Sequence, residues 1–157
     1  MLSWTLYDWA NSAFATTVMA GFFPIFFEKY WSNPELVDQS TFYLGVSNSA
    51  GSLIVAMMAP FLGAVSDTGS TKKKFLFTFA FLGILATSLL WFVEQGDWQL
   101  AAILYAVGAI GFASSNVFYD SLLPSVAKKQ EFDFVSSLGY SMGYLGGGVL
   151  FIINILM

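Results

Sequence analysis

Charged residues divide this chain into long apolar segments. Five windows contain no Asp, Glu, Lys or Arg, namely residues 9–27, 39–66, 75–93, 98–119 and 134–157. Each window reaches or exceeds the roughly 18 residues at which a membrane-spanning helix becomes the default interpretation of an apolar run. The pattern therefore predicts an all-α fold, a polytopic membrane helix bundle that forms a single membrane domain. Its five transmembrane helices are expected at about residues 8–28, 41–66, 74–94, 98–122 and 134–157.

Composition supports a lipid environment and excludes several kinds of chemistry. Hydrophobic residues make up 57% of the chain and charged residues only 10%, whereas about a quarter of the residues in soluble domains are charged. Cysteine and histidine are both absent, which excludes disulfides, thiol chemistry and most transition-metal sites. We therefore expect no metal and no cofactor. A single run of three lysines is too little basic surface for nucleic-acid binding.

The lysines predict how the helices are oriented. All six basic residues are lysines, and five of them lie at 72–74 and 128–129, between the second and third windows and between the fourth and fifth. The other two loops carry mainly acids. Short lysine-rich loops stay in the cytoplasm, so we expect a cytoplasmic amino terminus. The start of the chain lacks a basic region and a cleavage site, so the first helix is expected to remain as an anchor.

Small residues recur at helical spacing and predict close packing between helices. The second helix carries a stripe of Gly45, Ser49, Ser52, Ala56, Ala59 and Gly63. The fourth carries Ala102, Ala106, Ala109, Ala113, Asn116 and Asp120. The fifth has overlapping GxxxG spacing with further glycines beside it, at Gly139, Gly143, Gly146, Gly147 and Gly148. The third helix is bulky nearly all round, which predicts a lipid-facing position.

Two helices combine a carboxylate with an amide near their cytoplasmic ends. Asp8, Asn11 and Ser12 share one face of the first helix because they stand at i, i+3 and i+4. Asp120 follows Asn116 by one turn on the fourth helix, on the small-residue stripe, so we expect it to face the bundle or a water-filled cavity.

Two interpretations of these acids remain open. Asp8 could cap the first helix, where the dipole favours an acid, and Asp120 could simply end the fourth before Pro124. Alternatively, one or both acids line a transport route. The chain has no arginine to pair with them, and a carboxylate in a poorly solvated cavity can carry a proton near neutral pH.

Four segments in chain order resemble one transporter family. They are LYDWANSAF at 6–14, APFLGAVSD with the following lysines at 59–74, NVFYDSLL at 116–123, and VSSLGYSMGYLGGG at 135–148. Together they resemble the vacuolar-effluxer-like branch of the major facilitator superfamily, which is related to the autophagy-associated vacuolar amino-acid permease of yeast. The resemblance implies two six-helix halves with the solute near the midplane between them. Five helices are one short of such a half, so we expect the amino-terminal portion of a 12-helix transporter, whose carboxy-terminal half is its missing partner.

The resemblance also assigns two motifs. The superfamily's loop motif falls on Gly63, Asp67, Gly69, Lys72, Lys73 and Lys74, which implies a cytoplasmic latch. Thr68 stands where an arginine is common, and the second glycine is shifted. The antiporter motif of the fifth helix is matched at Gly139, Gly143, Gly147 and Gly148, but Tyr144 replaces its proline. Close helix packing is the alternative interpretation of these glycines.

We therefore expect a secondary transporter that moves small polar, amino-acid-like solutes by alternating access, in the direction of efflux, with the proton as the candidate coupling ion. The expected location is the bacterial inner membrane, in contact with lipid. The residues expected on the substrate or proton pathway are Asp8, Asn11, Ser12, Asn48, Asn116, Tyr119 and Asp120. The alternative is a membrane scaffold or accessory subunit that packs through its small-residue stripes and transports nothing.

The sequence GYSMG at 139–143 matches the G-x-S-x-G nucleophile elbow of hydrolases. That motif requires a strand-to-helix turn and a histidine base, whereas Ser141 stands within an apolar helical run of a chain without histidine. We therefore do not expect an enzyme.

Overall fold

The computed structural model describes residues 1–32, 37–67 and 71–157, with the side chains of Val37, Asp38 and Asp67 left out. The described residues are helical and contain no β-strand, which confirms the all-α prediction. The α-helices are α1 (Leu2–Ala13), α2 (Phe23–Phe26), α3 (Val37–Asp67), α4 (Lys72–Leu89), α5 (Trp98–Ser121), α6 (Leu123–Val126) and α7 (Phe132–Leu156). Wider π-helical turns at Phe14–Phe22 and Phe27–Trp31 continue α1 and α2, and 3₁₀ turns lie at Leu90–Phe92 and Lys129–Glu131.

Five helical runs in the described part of the chain are long and apolar enough to cross a membrane. They are Leu2–Trp31, Gln39–Ser66, Lys72–Phe92, Trp98–Ser121 and Lys129–Leu156. The first begins at Leu2 and not near residue 8, because Trp4 and Thr5 are buried and extend the helix towards the amino terminus. Asp8 therefore lies inside α1, and the interpretation that it caps this helix is wrong.

The wide turns of the first span precede a proline. Pro24 has no N–H to donate, and its ring would collide with the carbonyl four residues earlier in an α-helix. The turns from Phe14 to Phe22 are π-helical, and the N–H of Phe23 donates to the carbonyl of Val18. In a π-helical turn each N–H bonds to the carbonyl five residues earlier, so the carbonyl that the proline ring would crowd takes another position. The helix therefore continues through Pro24 without ending the span.

Contacts divide the chain into two compact units. The first consists of Met1–Pro24 and Leu122–Met157. In it, α1 and the π-helical turns pack along α7 in the same direction, since Asp8 lies against Gly143 and Gly21 against Phe151. The rings of Phe22 and Phe151, 5.8 Å apart, extend this contact. Two helices that cross a membrane in the same direction have this parallel arrangement.

The second unit consists of Ile25–Ser121, and α5 is its central helix because it contacts both α3 and α4. Along α3 it runs parallel, with the rings of Tyr43 and Trp98 stacked 4.2 Å apart at one end. Along α4 it runs antiparallel, with Phe75 stacked on Phe118 at 5.2 Å.

The closest approach in the second unit is between glycines of α4 and α5. A Cβ added at Gly111 would lie 2.7 Å from the backbone N of Gly83, and 2.8 Å from the carbonyl O of Phe79. The prediction that α4 is bulky nearly all round therefore misses its contact face, where Gly83 and Ala86 are buried. Most of its large side chains are exposed, as expected for a helix facing lipid; Phe77, for example, is 70% exposed.

The small-residue stripe of α3 does not meet another helix among the described residues. Gly45, Ser49, Ser52 and Ala56 are exposed, and a Cβ at Gly45 or Gly63 would meet nothing within 4 Å. Instead α3 contacts α5 through a different face, on which Gly51 lies 3.8 Å from Ala106. The packing role of this stripe stays a prediction.

Candidate functional site

The first unit places three polar side chains in a ladder along α1. The Oγ of Ser12 donates to Oδ1 of Asp8 at 3.3 Å, and Oγ1 of Thr16 donates to the carbonyl O of Ser12 at 3.1 Å. All three side chains are half-buried. Asn11 is also half-buried, one turn beyond Asp8. The predicted pairing of Asp8 with Ser12 on one helix face is therefore present, and the carboxylate is held by a hydroxyl donor.

The ladder lies directly on the glycines of α7. A Cβ at Gly143 would lie 2.5 Å from Oγ of Ser12 and 3.2 Å from Oδ2 of Asp8. A Cβ at Gly147 would lie 2.6 Å from Oγ1 of Thr16. These glycines form a groove that the polar side chains of α1 occupy, and any larger side chain would displace them.

Gly146 and Gly139 complete this buried face, whereas Gly148 lies outside it. A Cβ at Gly146 would collide with the backbone carbonyl and the ring of Trp9. Gly139 is buried too, but a Cβ at Gly148 would meet nothing within 4 Å. The GxxxG spacing of α7 therefore serves close helix packing, and Gly148 is not part of the contact.

The second unit brings Asn48 to Tyr105. The hydroxyl of Tyr105 donates to Oδ1 of Asn48 at 3.4 Å, between α3 and α5. Tyr105 is only 5% exposed, whereas Asn48 is exposed. A buried tyrosine thus holds one end of an amide whose other end is accessible.

The other predicted pathway residues of this unit lie near the end of α5. Tyr119 is buried and Asn116 is half-buried, whereas Asp120 is exposed. The expectation that Asp120 faces the bundle or a water-filled cavity stays a prediction. Asp120 is the penultimate residue of α5.

The lysine run of the predicted loop motif begins α4. Nζ of Lys72 donates to the backbone carbonyl O of Ser121, the last residue of α5, at 3.0 Å. Lysine at a helix C-terminus satisfies an otherwise unpaired carbonyl and opposes the negative end of the helix dipole. Lys73 and Lys74 are exposed. The basic cluster therefore joins two helix ends within one unit.

The structure describes only part of the rest of the loop motif. Gly63 is half-buried on α3, and α3 ends at Asp67. The side chain of Asp67 and all of Gly69 lie outside the described residues. The predicted latch between this acid and another part of the transporter stays a prediction.

Three contacts were missed by the sequence reasoning. The first two are the hydrogen bond of Tyr105 with Asn48 and the close approach of Gly83 and Gly111. The third is the indole Nε1 of Trp31, which donates to the carbonyl O of Val93 at 3.3 Å and fixes the loop before α5. Spacing within a single helix gives no signal for a contact between two helices.

The described residues contain no group of three or more acids that could hold a metal ion. Ser141, which matched the hydrolase motif, is exposed on α7 and donates to the carbonyl O of Ser137. Its hydroxyl therefore stabilises its own helix and stands on no strand-to-helix turn.

Comparison with known proteins agrees with the membrane fold. Residues 36–133 match the family model described as vacuole effluxer Atg22 like. The chain is 40% identical to the uncharacterized MFS-type transporter YxiO of Bacillus subtilis, over 98% of this chain and 36% of the relative. It is 30% identical to an uncharacterized protein of Aquifex aeolicus, over 96% of this chain and 37% of the relative.

A fungal relative matches more weakly. Autophagy-related protein 22 of Coccidioides immitis is 25% identical over 82% of this chain and 28% of its own length. The chain thus spans about a third of the length of these curated relatives, and no solved structure matches it. The apolar helices and the MFS-type relative identify a multi-pass membrane protein. Since the family model covers most of the chain, the chain belongs to the vacuole effluxer Atg22-like family of MFS-type proteins.

Proposed function

We propose that this chain is the amino-terminal part of a secondary transporter that moves small polar solutes across the membrane by alternating access. Support comes from the family and from the MFS-type relative, which is more than twice as long as this chain. The family description names a vacuole effluxer, so we propose efflux as the direction. Amino-acid-like solutes are the proposed cargo. We place the protein in a bacterial inner membrane with a cytoplasmic amino terminus.

The observation that carries this proposal is the position of Asp8. It lies within the helical run Leu2–Trp31, which is long and apolar enough to cross a membrane; its side chain is half-buried and accepts a hydrogen bond from Ser12. An ionisable residue at membrane depth is costly and is retained mainly on ion or substrate pathways. The contact with Gly143 involves the shape of the Asp8 side chain, which a neutral asparagine shares, and does not itself require a charge. Its chemistry, the binding and release of a proton, is therefore the proposed reason for its presence.

The geometry also suggests how a proton on Asp8 could be coupled to movement. The carboxylate lies against Gly143, at the contact between α1 and α7. A charged carboxylate needs its hydroxyl donor and solvent, whereas a protonated one can rest against a glycine backbone at lower cost. A change of protonation would thus alter how closely α1 rests on α7. We propose that the proton gradient shifts the equilibrium between the conformations of the transporter through this contact.

The proposal is tested with the full-length protein in proteoliposomes. The change is Asp8→Asn, which keeps the shape of the side chain and its acceptor for Ser12 but cannot carry a proton. Flux of radiolabelled amino acids driven by a proton gradient is expected to fall at least about tenfold, the effect of removing an essential proton carrier. Exchange of the same amino acid between the two sides, without a gradient, is expected to persist.

The matched control is Asp133→Asn, at an exposed acid in the first turn of α7. It is expected to leave both fluxes unchanged. Gradient-driven flux that is equal in the Asp8→Asn variant and the parent would contradict a proton role for Asp8. A parent protein that moves no amino acid under any condition would instead favour the scaffold alternative.

A further inference from the structure

We infer that the first span bends at Pro24 during the transport cycle, and that the two compact units therefore do not move as one rigid body. Pro24 ends the first unit's part of this span, and Ile25 begins the second unit's part. The hinge lies within α2 (Phe23–Phe26). This inference rests on the proposed transport function and adds a conformational step to it.

The backbone around Pro24 lacks the regular hydrogen bonds of an α-helix. Pro24 has no N–H with which to close a helical turn. Wide turns lie on both sides of it. Before it, the N–H of Phe23 donates to the carbonyl O of Val18. After it, the N–H of Ser32 donates to the carbonyl O of Phe27 at 2.8 Å. Sharp bends in helices concentrate at prolines and at π-helical turns, and this segment combines the two.

The part of the span before Pro24 is fixed to α7. A Cβ added at Gly146 would collide with the carbonyl of Trp9, so the two backbones are already in close contact. The contact continues to Phe22, whose ring lies 5.8 Å from that of Phe151. Close backbone contact through glycine is how membrane helices pack tightly. This part of the span therefore moves together with α7.

The end of the same span is fixed to the second unit. The turns of Phe27–Trp31 contact α3 and α5. The indole Nε1 of Trp31 donates to the carbonyl O of Val93 at 3.3 Å. The N–H of Gly96 donates to the carbonyl O of Tyr30 at 3.1 Å. One helix thus has its two ends attached to different neighbours, so any movement that these neighbours do not share must be taken up between them. Hinges are typically a few residues at the ends of elements, as here.

A second proline shows the contrast. Pro60 lies inside α3, which stays α-helical through it. On one side of Pro60, Gly51 lies against Ala106, and on the other side Leu62 is only 8% exposed. All of α3 belongs to the second unit. A proline within one unit therefore leaves the helix regular, whereas the proline at the boundary between units lies among wide turns.

The first test measures amino-acid transport by the full-length protein in proteoliposomes. Pro24→Ala supplies an N–H and removes the ring, so the helix becomes stiffer, and alanine favours the helix. The kcat is expected to fall at least about threefold with KM changed less than about twofold, because the bend belongs to the conformational step and not to binding. Pro24→Gly also supplies the N–H but leaves the backbone flexible, so it is expected to retain most of the kcat. The matched control Pro60→Ala is expected to leave kcat and KM unchanged.

The second test measures the movement itself through distances between spin labels. The chain has no cysteine, so labels in it attach only to introduced cysteines, and any cysteine in the rest of the full-length protein is replaced by serine. Lys73→Cys with Gln130→Cys is a pair of exposed positions, one in each unit. Lys73→Cys with Gln95→Cys is the control pair, both exposed within the second unit.

Double electron–electron resonance is expected to distinguish the two pairs. Without solute, the pair that joins the units should have the broader distance distribution. A saturating amino acid should shift that distribution by about 3 Å or more, the scale of a hinge movement, and leave the control pair unchanged. Both the breadth and the shift should decrease in Pro24→Ala and persist in Pro60→Ala.

The outcomes separate the hinge from the transport function. If the parent transports amino acids while the distribution between the units stays unchanged, the units move as one body and the inference is overturned, whereas the transport function stands. Equal kcat and equal distance shifts in Pro24→Ala and Pro60→Ala would also overturn it. If the parent moves no amino acid, the proposed function fails and the hinge loses its role in transport. The distributions without solute then decide whether the hinge exists, and a pair between the units no broader than the control pair refutes it.

Discussion

The contact between Gly111 of α5 and Gly83 of α4 supports the most direct prediction about this fold. The change is Gly111→Ala, which adds one methyl group. Its carbon would lie 2.7 Å from the backbone N of Gly83 and 2.9 Å from its Cα. Since ordinary contacts begin at 3.4 Å, the two backbones must separate by about 0.7 Å, the difference between 3.4 Å and 2.7 Å. The obstacle is backbone and not a flexible side chain, so no rotamer change can relieve it.

The free-energy change has two parts that a second variant separates. Alanine favours a helix over glycine by about 1 kcal/mol, which stabilises any helical Gly→Ala variant. Overpacking of a tight contact costs about 1–3 kcal/mol. Gly45→Ala on α3 gains the first part without the second, because its Cβ would meet nothing within 4 Å. The difference between the two variants is therefore the steric part alone, about 1–3 kcal/mol of unfolding free energy.

Reversible unfolding in mixed detergent and SDS measures this difference. We expect Gly45→Ala to unfold at or above the SDS fraction of the parent, and Gly111→Ala to unfold clearly below it. The far-UV circular dichroism of the folded states should be alike, since both helices persist. Equal stability of the two alanine variants would refute the close approach of α4 and α5, and with it the arrangement of the second unit.

Two further predictions use the same unfolding assay. Lys72→Met keeps the aliphatic chain but removes the ammonium that binds the last carbonyl of α5, so we expect the unfolding free energy to fall by about 0.5–1 kcal/mol. The control Lys73→Met, at an exposed position, should leave the unfolding free energy unchanged. Equal losses in the two variants would show that the effect comes from the charge of the loop and not from this bond. Trp31→Phe leaves the buried carbonyl of Val93 without its indole donor and should lower the unfolding free energy by about 1–3 kcal/mol. The control Trp91→Phe, at a ring that is 88% exposed, should leave it unchanged. A Trp31→Phe variant as stable as the parent would contradict the role of Trp31 in fixing the loop before α5.

Much of the fold was predictable from charge placement alone. A lysine or an acid cannot be left in hydrocarbon without a partner, so uncharged windows of sufficient length mark the spans. The start of the first helix was not predictable in this way. Ser3, Thr5 and Asp8 make residues 1–8 more polar than the uncharged window that follows, yet Thr5 is 2% exposed and donates to the carbonyl O of Leu2. Tertiary burial decides that boundary, and burial cannot be read from one segment.

The candidate site was predictable in its residues more than in its contacts. Asp8 and Ser12 share a helix face by spacing alone, and the structure joins them by a hydrogen bond. Asn48 was identified as a polar residue in an apolar span, but its tie to Tyr105 depends on the register between α3 and α5. In that register Gly51 lies against Ala106 and Tyr43 stacks on Trp98, contacts that no pattern within α3 indicates. Asp120 is exposed near the end of α5, and its expected place at the bundle or at a water-filled cavity stays a prediction.

The glycines show what spacing can and cannot establish in a membrane helix. Gly147 and Gly148 are neighbours in one run, yet a methyl group would collide with Thr16 at the first and meet open space at the second. A turn of about 100° between successive residues separates them, so one lies in the groove and the other beside it. Sequence spacing defines which residues share a stripe, but the partner helix defines which stripe is covered. The exposed stripe containing Gly45 on α3 is the converse case, because it has the pattern of a contact without a neighbour among the described residues. A small-residue stripe in a transporter therefore reports where close approach is permitted, and only the register of the neighbouring helix determines whether that space is used for packing or left open for a solute.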